Sequence, residues 1–549
     1  MTSAGPTVSG RRVAQGVAGA AALIAVLTVL ARLAGFGRTL VFTNAVGADS
    51  TGDTYTAANT VPNIVFEVVA GGALASLVVP MLAGGIAAGD REQVRRTASA
   101  LLGWTLLLLV PLAALVAVLA GPIARLLLGG GREAEVELAA RFLVVFAPQV
   151  VLYGVGIVLT GILQAHRRFA GPAIAPLLSS LVVAGAYAAF ALLGGARSAE
   201  DLSTPAELVL GVGTTLGVAA LSLSLLVPLR RLRLGLRPSL RFPVGAAPRV
   251  RRLALAGVLT LAGQQLVAAV AIRLANSGGA PDGTQVVYTA ALTLFLVPWA
   301  ALAVPLATSA YPLLTERAAT GDEAGYRRAL APVTVLVVVA SLGAAAVLAA
   351  VAGPMARVFL LDGSAVDVAA LRDTILAFAP GLAGYGLVAV LTRALYARGL
   401  WRAPTACVLG GWLLAVAADV VLAALAPPAD RALALAAGHS LGVTVAGLAL
   451  VAVTARVAGA GGLAGLVRCG LPAVLAAVLG AAAGLLVARA LDADPVPTGS
   501  LPVTVGSGLL AAAAVTAVAA AVMMGTARRP LAAAVRALRA PGRTEVERG

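Results

Sequence analysis

Residues 146–160 read FAPQVVLYGVGIVLT and residues 378–392 read FAPGLAGYGLVAVLT. Both stretches are uncharged, and they share the frame F-A-P-x4-Y-G-x4-L-T at an offset of 232. The same offset links GPIAR at Gly121 to GPMAR at Gly353, and Pro80, Gly89, Asp90, Arg95 and Arg96 to Pro312, Gly321, Asp322, Arg327 and Arg328. A spacing that stays constant across four apolar runs and their connections is an internal repeat, not a composition bias. One repeat unit holds six runs, an even number, so both halves enter a membrane in the same sense and the repeat is parallel.

Composition fixes the solvent. Of 549 residues 60% are hydrophobic and 12% charged, with a mean hydropathy of +0.97; soluble domains are about half apolar and about a quarter charged. Apolar runs of span length, bounded by Gly, Pro and charge, centre near residues 28, 70, 108, 151, 181, 218, 264, 300, 340, 386, 414, 444, 478 and 514. The expected fold is an all-α polytopic membrane protein with fourteen transmembrane helices, two six-helix repeats followed by two C-terminal helices. Its expected parts are an N-terminal lobe over 1–230, an Arg-rich cytoplasmic linker over 231–252, a second lobe over 253–457, helices 13 and 14 over 458–526 and a basic tail over 527–549. No span-free stretch is long enough for an appended enzyme domain.

All 40 basic residues are arginine, against 24 acidic residues, for a net charge of +16. Connections on the N-terminal side of the fourteen runs carry 28 arginines and the opposite connections seven. By the positive-inside rule both termini are cytoplasmic, and anionic membrane lipids, not nucleic acid, are the expected counter-charge. Arg11 and Arg12 precede an apolar run reaching to about Val46, too long for a signal h-region, so an uncleaved first helix is expected. Cys407 and Cys469 give neither a disulfide framework nor metal-ligand spacing. No P-loop or nucleotide-binding glycine fingerprint is present, so this chain does not itself spend ATP.

The stretch from Leu30 to Leu82, LARLAGFGRTLVFTNAVGADSTGDTYTAANTVPNIVFEVVAGGALASLVVPML, carries Arg32, Gly35, Phe36, Arg38, Gly47, Ala48, Asp53, Tyr55, Pro62, Asn63, Gly72, Ala73, Val79 and Pro80 in a recognisable order. It resembles the first two helices of the MurJ (MviN) lipid II flippases, most of all their actinobacterial branch, within the multidrug/oligosaccharidyl-lipid/polysaccharide exporter superfamily. The segment from Pro298 through Val304, Pro305 and Leu306 to Pro312 is similar to the family's eighth helix. The chain departs at Phe66 and near Thr293, where many members have a basic residue. The resemblance implies a non-enzymatic transporter in the plasma membrane that moves lipid II, an undecaprenyl-pyrophosphate-linked peptidoglycan precursor, between leaflets by alternating access. Cell-wall synthesis or division proteins are the implied protein partners.

Ionisable groups at bilayer depth cost at least about 2.5 kcal/mol each and need a reason. Arg32, Arg38, Arg141, Arg273 and Arg393 lie inside apolar runs. Guanidinium grips phosphate with a planar fork, so Arg32, Arg38 and Arg273, with Asn63, are the candidate substrate-binding residues. Snorkelling to the interface is the competing role for Arg141, Arg273 and Arg393. Glu67 and Asp53 are candidates for a gate or charge pair, with Arg38 and Arg273 as the arginines suited to Glu67. Some relatives bind sodium between helices 7, 11 and 12, and Asp419, Gln264 and Gln265 could supply oxygens there; otherwise no cofactor is expected and the membrane potential is the driving force. His439 reads as a hydrogen-bonded core histidine before a proton relay. Midhelix prolines Pro62, Pro148, Pro298 and Pro380 mark kinks or a gate. The competing functions are a polysaccharide-lipid or drug/cation antiporter of the same superfamily, and a non-transporting cell-wall scaffold; intramembrane arginines disfavour a cationic substrate.

Overall fold

Asp90 and Asp322, repeat partners in the sequence, both act as helix N-caps: their carboxylates accept from the amides of Gln93 at 2.9 Å and Gly325 at 2.7 Å. From those caps the computed structural model runs two helices of equal length, Arg91–Val118 and Glu323–Ala350. It describes residues 26–27, 30–68, 78, 81–82, 85–86, 88–129, 132–195, 198–241, 247–361, 363–491 and 500–539, with the side chains of 247–260, 365, 460 and 538–539 excepted. Of the sequence features above, Arg11, Arg12, Gly72, Ala73, Val79 and Pro80 lie outside the described residues.

The repeat continues through the helix order. Ala120–Leu128 corresponds to Ala352–Phe359, Glu133–Ala165 to the pair Ala365–Phe378 and Gly381–Ala397, and Ala170–Leu192 to Arg402–Leu425. Thr204–Leu223 and Arg431–Ala458 close the two halves, and Leu466–Ala490 and Leu501–Thr526 follow. The described residues hold no strand. Ten helices are long and apolar enough to cross a membrane, eleven when the bent pair Val366–Phe378 and Gly381–Ala397 is taken as one span. These eleven carry eleven of the expected centres. The centre at 264 falls in the Ala247–Ala275 helix, whose described apolar part starts at Leu261, and the centres near 28 and 70 lie outside the described residues.

Contacts divide the chain into two units. One holds the described residues up to Leu261 except 47–53 and 127–129; the other holds those two stretches and everything described from Ala262 onward. In the first, Ala170–Leu192 packs along Thr204–Leu223 and Arg91–Val118 along Glu133–Ala165. In the second, Arg402–Leu425 packs along Arg431–Ala458, and Leu466–Ala490 lies against both Leu501–Thr526 and Glu323–Ala350. Small side chains permit that last contact: Ala346, Ala350, Ala488 and Ala511 form its buried core with Val515, the means by which helices associate where lipid removes the hydrophobic drive. Large apolar side chains such as Leu108, Val118, Leu192 and Leu425 point outward, as lipid-facing positions must.

The matched prolines behave differently. Pro148 sits inside one continuous helix of 33 residues, whereas at Pro380 the helix breaks with a bend of 44°. Polar side chains serve the same carbonyls in both halves. Thr215 Oγ1 donates to Val145 O at 3.0 Å; Ser440 Oγ lies 2.7 Å from Ala377 O and 3.0 Å from Phe378 O. Such hydroxyls re-satisfy backbone groups that a proline releases away from water. Pro298 leads into a π-helical turn, Trp299–Ala303, before the helix resumes at Val304, and Pro62 stays within Ser50–Glu67.

Candidate functional site

In the first unit the polar groups gather around Arg38 on the 30–45 helix. Arg38 is half-buried and Arg32, six residues earlier, is exposed; the spacing separates them by about 9 Å along the axis. Among the described residues neither guanidinium has a hydrogen bond or an ion pair. The charge of Arg38 acts on the phenols of Tyr55, Tyr153 and Tyr187. Tyr153 donates to Asn63 Oδ1 at 2.9 Å and lies against Phe66 with the rings tilted and their centroids 4.5 Å apart. Glu67, exposed at the end of Ser50–Glu67, also lies within electrostatic range of Tyr153, yet no ion pair joins it to an arginine among the described residues. Arg38, Asn63, Tyr153 and Glu67 are thus drawn together, and the arrangement offers a guanidinium without a counter-carboxylate among the described residues beside an Asn63 amide that its bond from Tyr153 holds in place, which suits an anion.

Beneath this group is a sealed hydrogen-bonded nest. Tyr55 is buried, its hydroxyl 2.9 Å from Tyr187 and 2.7 Å from Thr214, and Phe42, Phe142 and Phe146 surround its ring. Thr214 passes its own proton to Leu210 O at 2.7 Å. Every polar atom of the trio is bonded, so the nest holds the helices in register.

In the second unit Asp53 is 2% exposed and meets a helix N-terminus, not an arginine. Its carboxylate accepts from Gly283 N and Val286 N, both at 2.9 Å, where the first amides of Thr284–Pro298 would otherwise be orphaned. Gly283 is required there: its φ is +86°, and a Cβ would collide with the Ala48 carbonyl. Asn276 bonds Gln285 in the next turn.

The second aromatic nest repeats the first with different polar content. Phe378 stands where the repeat places Phe146 and Asp419 where it places Tyr187, while Tyr288 lies one position past Val287, the repeat counterpart of Tyr55. Tyr385 stacks on Trp299 at 4.5 Å, the same centroid distance at which Tyr153 meets Phe66 with tilted rings. Asp419 is completely buried, within electrostatic range of Tyr288, and neither carboxylate oxygen has a hydrogen-bond partner among the described residues. Gln264 and Gln265 are half-buried and do not bond to it. His439 is in the core, enclosed by Phe295, Phe378 and Trp412, but neither ring nitrogen is bonded among the described residues, which departs from the expectation of a hydrogen-bonded histidine.

The remaining intramembrane arginines are placed at ends or paired. Arg273 is exposed in the last turn of Ala247–Ala275, its guanidinium over Gly129. Arg141 pairs with Glu207 at 2.8 Å, and Arg393 donates to Ala389 O at 2.8 Å. Sequence reasoning passed over Tyr153, Tyr187 and Tyr288 as site residues. The signal for Tyr153 was present, since it is the tyrosine of the repeated F-A-P-x4-Y-G frame. Among the described residues no group of three or more His, Cys, Asp or Glu could hold a metal ion.

Comparison with known proteins gives the arrangement a context. A protein of Vibrio cholerae serotype O1 described as a probable lipid II flippase MurJ is 24% identical over 435 residues, covering 76% of this chain and 78% of its own. Among solved structures, a lipid II flippase MurJ in an inward closed conformation superposes with a TM-score of 0.69 at 17% identity, over 90% of this chain and 98% of its own. An inward-facing multidrug resistance transporter of the MATE family, in the MOP superfamily, gives 0.64 at 16% identity over 79% and 94%; likenesses this remote speak for the fold alone. The family described as lipid II flippase MurJ matches residues 42–504, most of the sequence, and the chain belongs to that family.

Proposed function

We propose that this chain carries lipid II from the inner to the outer leaflet of the plasma membrane by alternating access, with both termini in the cytoplasm. The observation that supports the reading is Arg38: a half-buried guanidinium without a counter-carboxylate among the described residues, beside Tyr153 and Asn63. A pyrophosphate supplies the missing negative charge and accepts from the guanidinium fork, and the second amide N–H of Asn63, whose carbonyl Tyr153 holds, adds orientation. Arg32 extends the cationic track by about two helical turns. Arg273, at a helix end, serves as an outer way-station in this reading. A cationic drug would meet these arginines as repulsion, so the antiporter alternative loses ground despite the shared fold.

Asp419 is the residue that would hold a coupling cation. A buried carboxylate with both oxygens unbonded is costly unless something positive or a proton joins it, and sodium accepts oxygen ligands of this kind. Gln264 and Gln265 would contribute amide oxygens after a side-chain adjustment. Sodium-dependent thermal stabilisation of the purified chain, lost in Asp419→Asn, is the expected result; equal stabilisation by potassium removes the sodium assignment.

Rescue of a cell depleted of its own lipid II flippase tests the function. Growth and wall synthesis are expected to return with the intact chain and to fail with Arg38→Ala at equal membrane abundance. Failure of the intact, correctly inserted chain to rescue would leave the scaffold or polysaccharide-lipid readings in its place.

A further inference from the structure

The segment after the first repeat reads RLRLGLRPSLR from Arg231 to Arg241, an alternation of arginine and leucine that no part of the transport reading uses. It is neither helix nor strand beyond Leu232, and it is strapped along Arg91–Val118. Arg237 N donates to Ser99 Oγ at 3.2 Å and Ser239 N to Ser99 O at 3.0 Å, and the indole of Trp104 donates to Leu240 O at 3.0 Å. Gly103 makes the close approach possible, because a Cβ there would overlap the backbone of Ser239. Leu232, Leu234 and Leu236 pack inward on the core around Leu101, Leu163 and Leu229. Arg231, Arg233, Arg237 and Arg241 point out, exposed, with no acidic partner among the described residues.

Where the strap ends, a groove of about 390 Å³ opens between it and the helix, lined by Leu106, Leu107, Val110, Pro111, Pro238 and Leu240. That volume lies in the range of small-ligand sites, about 300–1,000 Å³. Its walls are apolar and continue into the lipid-facing side chains Leu107, Leu108 and Val110. Trp104, part-exposed, donates its N–H to the strap at the mouth of the groove. Arg237, bonded at Ser99, thus stands toward the end of the helix that carries Arg91, Arg95 and Arg96, and the apolar slot runs from there along the span.

We propose that the strap and groove form a site for an anionic phospholipid of the cytoplasmic leaflet, its phosphate held by Arg237 and Arg241 and one acyl chain lying along Leu107, Val110 and Pro111. Charge complementarity selects the headgroup, since basic groups near a membrane surface draw anionic lipid, and the groove selects a chain-bearing ligand over a free phosphate. The site lies within the first unit and is separate from the Arg38 group.

Native mass spectrometry of the full chain, titrated with phosphatidylglycerol or phosphatidylcholine, tests this. One phosphatidylglycerol is expected to stay bound under conditions that strip phosphatidylcholine, less firmly as salt rises. The variant R231Q/R233Q/R237Q/R241Q is expected to weaken that binding by roughly several hundredfold, from the share each of the four arginines contributes near a surface, with helix content and unfolding temperature unchanged. Gly103→Val keeps every arginine but lifts the strap, and is expected to lose the same lipid. Soluble glycerophosphoglycerol, a headgroup without chains, is not expected to compete. Equal retention of the two lipids, full retention by the quadruple variant or by Gly103→Val, or displacement by the soluble headgroup would each overturn the proposal.

Discussion

Arg38 and Asp53 lie fifteen residues apart, and their surroundings demand opposite tests. Arg38 lacks a hydrogen-bond partner among the described residues, so Arg38→Ala is expected to abolish transport while the unfolding temperature holds. Arg38→Lys restores it partly at best, because ammonium keeps the charge and loses the fork. Asp53 is held by two backbone amides; Asp53→Ala leaves those donors buried and unmet, at roughly 1–3 kcal/mol, and is expected to lower the unfolding temperature. Normal stability of Asp53→Ala would show that water replaces the carboxylate. For Glu67, exposed and without an ion pair among the described residues, Glu67→Gln is expected to leave stability within about 0.5 kcal/mol. A larger loss, cancelled by a second change at Arg38, would reveal a charge pair between them by double-mutant cycle.

Among the elements, the broken helix at Pro380 and the capped helix at Asp322 give separate predictions. Ser440→Ala removes the hydroxyl that serves Ala377 and Phe378 carbonyls and should cost about 1 kcal/mol; an unchanged midpoint in denaturant would mean the carbonyls find another donor. The amide of Gly325 and the nearby Arg317 hold the Asp322 carboxyl below its ordinary range. A carboxyl depressed in the folded state stabilises above its unfolded pKa, near 3.9, and that stabilisation disappears as pH falls through the folded value. Stability of Asp322→Asn should therefore fall less steeply on acidification than that of the parent chain; parallel acid profiles would remove the cap from the account. The repeat pairs Asp90 with Asp322 and Pro148 with Pro380, but that both aspartates cap helices of equal length was not read from the sequence. Nor was it legible that Pro148 rides in a continuous helix while Pro380 breaks one, because the identical residue is answered by different packing.

For the whole molecule, the arginine bias predicts that a single cysteine placed between 231 and 241, with Cys407 and Cys469 replaced, reacts only with reagents that reach the cytoplasm. Labelling from outside intact cells would invert the topology. The all-α class and the internal repeat were readable because hydropathy and spacing survive in a single sequence. The site was readable only in part: charge at depth marked Arg32, Arg38 and Asp419, whereas Tyr153 and the helix terminus beneath Asp53 depend on contacts between residues far apart in the chain. The assignment of 47–53 to the second unit has the same origin, since sequence order carries no record of it. The chain holds four tryptophans, Trp104, Trp299, Trp401 and Trp412, and two of them border one ring: Trp299 stacks on Tyr385, and Trp412 stands edge-on to it and tilted to His439. With Trp104 and Trp401 changed to phenylalanine, the remaining tryptophan emission comes from the neighbourhood of Tyr385. Any rearrangement around the π-helical turn would then shift or quench that light, and the second unit would carry its own optical reporter with no dye attached.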